Sequence, residues 1–205
     1  MKPMQPTARD PFAGLREFVR KKAQVARCDL CSADLGPEHA HLVERTTGKL
    51  LCSCETCSIL FSDTQSNRYR RVPRRVEFWP DFRLSDAQWE GLHLPINLVF
   101  FVQSTSAGRV LAIYPSPAGP TESLLSLEGW TEFVNENPVL AILEPDVEAL
   151  LVNRLAQTRE YYRVPIDECY KLVGLIRGKW RGLTGGTEIW EEIGRFFTSL
   201  KERSC

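Results

Sequence analysis

The chain has 205 residues, enough for a small metal-stapled module followed by one larger domain and too few for two full-sized domains. With 43% hydrophobic and 25% charged residues it has the composition of a folded protein rather than a disordered one. Lysine plus arginine and aspartate plus glutamate balance at 26 each, so net charge supplies no general attraction to nucleic acid or to an anionic membrane. No apolar run approaches the roughly 18–20 residues that span a bilayer, and residues 1–10 lack the apolar centre of a signal peptide. A cytoplasmic location is expected, where clustered cysteines serve as metal ligands more readily than as disulfides.

Residues 1–24 read as a loose tail and a helix. Asp10 is its N-cap, Pro11 its first position, and Phe12, Leu15, Phe18 and Val19 share one face. Residues 25–66 are expected to form a cysteine metal-binding unit. The pairs Cys28-x-x-Cys31 and Cys54-x-x-Cys57 flank an insert of hairpin size, and each pair bends the backbone so that two sulfurs face one point. Strands are expected at residues 41–44 and 49–52, with a turn at 45–48 in which Gly48 can take a positive φ. Ser53 is the expected cap of a helix through Cys54, Cys57, Ile59 and Phe61. Knuckle, hairpin and helix in that order is the treble-clef arrangement; with an extended last segment the unit would be a zinc ribbon.

Cys28, Cys31, Cys54 and Cys57 are the expected ligands. Cys52, His39 and His41 are further candidates, either replacing one of the four or supporting them from behind. The expected ion is zinc, with iron in a rubredoxin-like site as the alternative. Rubredoxin-type knuckles surround their cysteines with proline and glycine, whereas here the pairs continue as Cys31-Ser32 and Cys57-Ser58, which favours zinc. A structural site of this kind contributes on the order of 10 kcal/mol of apparent binding energy, and thirty residues bury too little core to fold without it.

Residues 67–205 read as an α+β domain, an antiparallel sheet covered by helices. It opens with Arg68, Arg70, Arg71, Arg74 and Arg75, either a basic surface for phosphate or an acidic partner, or an edge strand with solvated arginines and Tyr69, Val72, Val76 and Phe78 turned inward. Ser85-Asp86-Ala87-Gln88 is a capping box for a short helix burying Trp89 and Leu92. Residues 94–102 and 109–114 read as a hairpin joined through 104–108, and 116–120 as a loop. Ser126 caps a helix with Leu127, Trp130, Phe133 and Val134 inward, stopped at Asn137-Pro138, and residues 147–152 read as another strand. Two helices finish the chain. One begins near Pro165 and carries Cys169, Leu172, Val173, Ile176 and Trp180 inward; the other carries Ile189, Trp190, Ile193, Phe196, Phe197 and Leu200 on one face. Cys169 reads as a small buried hydrophobe and Cys205 as a frayed thiol. The glycines before the last helix, beside Arg181, match an anion-binding loop weakly and a tight interhelical turn well.

Enzyme signatures are missing: there is no G-x-x-x-x-G-K-[ST], no G-x-S-x-G and no H-E-x-x-H. A His-Asn-His nuclease needs a histidine on the helix after the hairpin, and residues 54–67 contain none.

Residues 39–42 and 50–57, together with 114–123, 144–154 and 180–186, are similar to a bacterial family catalogued only as a domain of unknown function. Its genes often lie beside those of uptake nickel–iron hydrogenases. The resemblance implies an accessory role in hydrogenase maturation, assembly or electron hand-off, and it carries over no catalytic residue. It also draws attention to Glu122, Arg154 and Arg181 as a polar site at one end of the sheet. The combined expectation is a non-catalytic zinc accessory protein whose partner is a hydrogenase subunit or maturation factor. The alternatives are a rubredoxin-like iron carrier fused to a docking domain and a nucleic-acid-binding zinc module, the last disfavoured by the neutral charge.

Overall fold

The computed structural model describes residues 26–62, 68–123, 130–182 and 185–204. The expected N-terminal helix at Asp10 to Lys22, the Ser126 cap with Leu127, and Cys205 lie outside the described residues.

The small sheet is built from β1 (Ala40–Glu44), β2 (Lys49–Ser53) and β3 (Tyr69–Arg71), in the order β2-β1-β3 and antiparallel throughout. Gly48 closes the β1–β2 turn at φ 69° and donates its N–H to Glu44 O. That four-residue turn fixes the register, with Glu44 opposite Lys49 and therefore His41 opposite Cys52. Helix α1 (Glu55–Phe61) follows β2 at once. β3 is an edge strand, as its arginines and the nearby Pro73 suggest, but it closes the small sheet, whereas the sequence assigned these residues to the larger unit beginning at 67.

The larger sheet uses β4 (Glu77–Phe78), β5 (Leu98–Ser104), β6 (Arg109–Ser116), β7 (Gly119–Glu122), β8 (Glu148–Asn153) and β9 (Glu160–Pro165). Their order is β4-β9-β8-β5-β6-β7, all pairs antiparallel. The helices are α2 (Asp86–Gly91), α3 (Trp130–Glu136), α4 (Ile166–Lys179) and α5 (Thr187–Glu202), with a 3-10 turn at Pro138–Ile142. The capping box forms as expected: Ser85 Oγ accepts from Gln88 N, and Gln88 Oε1 accepts from Ser85 N.

Strand alternation divides the core into two layers. Leu98, Phe100, Val102, Leu151, Tyr162 and Val164 face α4 and α5, meeting Cys169, Leu172, Ile176, Ile189 and Phe197. Val99, Phe101, Leu150, Val152 and Tyr161 face the other way, against Trp79, Phe82, Trp89, Leu92 and Phe133. Val43 and Val72 belong to the first layer, so the small sheet is seated on the larger domain. Cys169 is fully buried there, as expected.

Several elements differ from the sequence reading. The strand expected from residue 94 starts at Leu98, since Pro95 has no N–H for a ladder. β7 occupies part of a stretch that reads as a loop; Pro115 and Pro120 face each other across β6 and β7 at the sheet's edge, where missing donors are tolerated. β9 was not anticipated, because it carries Arg163 at a buried position. Trp190, expected inward, is 46% exposed and meets Trp180 edge-on.

Candidate metal centre

The first cysteine pair lies on a tight knuckle. Arg27 and Asp34 bridge its base, Cys28 N donates to Ala33 O and Ser32 N to Cys28 O, both at 2.8 Å. Ser32 adopts φ 62°, the left-handed conformation glycine usually supplies. Knuckle geometry is thus reached without glycine, and the missing glycine no longer separates zinc from iron.

The second pair sits at the start of α1. Cys54, not Ser53, is the N-cap: its Sγ accepts from Cys57 N at 3.4 Å. Ser53 instead ends β2, fully buried, and donates to Ala40 O. Alternation along β2 turns its hydroxyl away from the helix end.

One donor atom from each of Cys28, Cys31, Cys54 and Cys57 lies within 4.8 Å of every other. Cys31 Sγ and Cys54 Sγ are 3.7 Å apart. A metal–sulfur distance of about 2.3 Å gives a tetrahedral edge of about 3.8 Å, so this pair already stands at ligand spacing. Four soft donors converging on one point fit a single tetrahedral ion with no position left open. Cys28 and Cys57 are buried, whereas Cys31 is exposed.

Burial works against a Cys28 thiolate, but the backbone N–H groups of Cys54, Cys31 and Leu30 outweigh it and bring the thiol down to about 6. Cys57 is pushed up to about 12 by burial and by the neighbouring thiols of Cys54, Cys31 and Cys28. The preorganised N–H groups favour one thiolate, and without a cation the crowded sulfurs cannot all ionise.

Cys52, His39 and His41 do not join these four; they form a separate group whose donor atoms also lie within 4.8 Å of one another. Its signal was present in the sequence. His39 and His41 are two residues apart, so they share a face when extended, and the four-residue turn places Cys52 opposite His41.

The other expected site residues are engaged separately. Arg154 is 3% exposed, pairs with Asp86 and lies over the Trp89 ring at 5.2 Å. Glu122 pairs with Arg109 on β6, and Arg181 is exposed at its bridge to Gly185. Two strands lie between β8, which Arg154 follows, and β7, which carries Glu122, a separation of about 14 Å. In the basic stretch Arg68 pairs with Glu44, Arg71 and Arg74 with Glu55, and Arg75 with Glu77; Arg70 donates to Pro145 O. Gly185, at φ 84°, leaves no room for a Cβ beside Ile189 and Trp180, so close packing accounts for that glycine.

Among the described residues, no helix is long and apolar enough to cross a membrane. Neither the curated proteins nor the solved structures contain a match to the chain. Residues 27–204 match one family model, spanning both the cysteine unit and the larger sheet, and the chain belongs to that family, the Family of unknown function (DUF5947).

Proposed function

We propose that the protein is a non-catalytic accessory or adaptor protein whose Cys28, Cys31, Cys54 and Cys57 hold a structural zinc ion in a treble-clef unit. The convergence of four sulfurs from a knuckle and a helix N-terminus, with a hairpin between, carries this reading. Four thiolates fill the coordination sphere, which suits a structural ion better than a reactive one. The ion would hold the β1–β2 hairpin rigid and present it, with the neighbouring β3 edge, to a protein partner. The similarity described above points to nickel–iron hydrogenase assembly or function as the setting, with a hydrogenase subunit or maturation factor as that partner. Acid partners for the arginines of the basic stretch count against nucleic acid as the ligand.

An iron-bound, rubredoxin-like electron carrier is the second reading. The left-handed Ser32 and the N–H groups directed at Cys28 favour it, since hydrogen bonds to sulfur tune the potential of an iron–thiolate centre.

The test is metal content with an absorption spectrum on full-length protein purified without oxygen from cells supplied with both metals. One zinc per chain that survives a mild chelator, with no visible bands, is the expected result. One iron per chain, with thiolate-to-iron bands that bleach on reduction, would replace the structural reading with electron transfer. Co-purification with a hydrogenase subunit from the native host then tests the partner, and a hydrogenase equally abundant without the tagged protein would remove it.

A further inference from the structure

We infer that His39, His41 and Cys52 form a second metal site, separate from the four-cysteine centre and holding an exchangeable divalent ion of the zinc–cobalt class. The donors are two imidazoles and one thiol, ligand types that suit borderline ions, brought within 4.8 Å of one another.

Hydrogen bonding around the histidines supplies an independent observation. His39 Nδ1 donates to Gly36 O at 2.9 Å, and His41 Nδ1 donates to Asp167 Oδ2 at 3.0 Å. Both Nδ1 protons are thereby placed, which leaves each Nε2 with its lone pair as the ligating nitrogen. A backbone carbonyl behind one imidazole and a carboxylate behind the other is the usual support of metal-bound histidines. His39 Nε2 is buried without any hydrogen-bond partner. A desolvated nitrogen with no partner is costly, and a cation bound there would satisfy it.

The two centres differ in kind. Three protein ligands leave a position open, in contrast to the four that close the cysteine centre. His39 and His41 also line a cleft of about 340 Å³ together with Pro37, Arg71 and Asp167. β1 and β2 support both centres: Cys52 joins the histidines, and its N–H donates to Asp29 Oδ2 inside the first cysteine knuckle. The inference stands whether the four-cysteine centre holds zinc or iron.

The full-length chain is cleared of weakly held metal with a mild chelator, its residual metal is counted, and it is titrated with Co²⁺ without oxygen. The residual count reports the four-cysteine centre, and the titration reports the second site. The expected result is one further equivalent of Co²⁺ with a thiolate-to-cobalt band, absent in His39→Ala/His41→Ala protein that keeps its residual metal. Asp167→Asn should weaken that uptake roughly 10–100-fold. In the wild-type chain, Zn²⁺ should shift the histidine Nε2 resonances, a readout that needs no variant to fold. Equal Co²⁺ uptake by wild type and the double variant, or Nε2 resonances unmoved by Zn²⁺, would overturn the second site. A missing residual metal with the Co²⁺ site intact would instead fault the four-cysteine reading alone.

Discussion

The Nδ1 atom of His41 and the Oδ2 atom of Asp167 are 3.0 Å apart although 126 positions separate them in the chain. The bond joins β1 to the first turn of α4, and both side chains are 15% exposed. Val43 packs beside it in the same core layer as α4.

Cys57→Ser removes a buried sulfur from the centre. It should abolish the tightly held metal and melt the hairpin, since on the order of 10 kcal/mol of apparent binding energy is at stake. Metal counting and thermal melting check this together; a variant that keeps both its ion and its melting curve would remove Cys57 from the ligand set.

Arg163 and Glu148 form a buried pair across β9 and β8, with Arg163 Nε and NH2 donating to the two carboxylate oxygens at 3.0 and 2.7 Å. Arg163→Met strands Glu148, whose side chain has no solvent exposure, and should cost roughly 3–5 kcal/mol. Adding Glu148→Gln should recover part of that loss. Urea denaturation of both singles and the double reads the coupling, and strictly additive losses would show that the pair contributes nothing beyond its members.

Glu168 supplies the pH dependence. Burial raises its carboxyl, but Arg203 and Lys171 outweigh burial and hold it below the ordinary value of 4.5. A depressed carboxyl stabilises the fold fully above its unfolded value, and that stability is lost as pH falls through the folded value. Glu168→Gln should therefore cost roughly 1–3 kcal/mol near neutrality and much less at an acid pH below the folded carboxyl's value. Chemical denaturation at the two pH values checks this; an equal cost at both would mean that the charge is not what stabilises.

Gly185→Ala would place a Cβ 2.9 Å from Ile189 Cγ2 and 3.0 Å from Trp180 Cε3 at φ 84°. The backbone strain alone should cost about 1–3 kcal/mol, and Trp180 emission should shift as its ring is displaced. A variant with unchanged melting and emission would show that the turn relaxes freely.

The sequence by itself determined the elements whose information is local. Two C-x-x-C spacings mark four converging sulfurs, since each spacing bends its own backbone, and the fold brings those four together. The Ser85 capping box and the apolar faces of α4 and α5 were readable for the same reason: contacts within one or two turns decide them. Ser53 was the better cap on propensity, yet strand alternation buries it and gives the cap to Cys54. Only the tertiary structure decided what depends on register and distant partners. Arg163 is buried because Glu148 lies on the adjacent strand, and with that partner in place β9 can pass through the core. Pro120 in β7 is accommodated because the strand lies at an edge, a position no local pattern reveals. Cys52 is parted from the other cysteines and joined to His39 and His41 by hairpin register, and Asp167 reaches His41 only because α4 packs under the small sheet. Pairing across strands and packing between layers are properties of the folded chain, and they decided where the second group of donors meets.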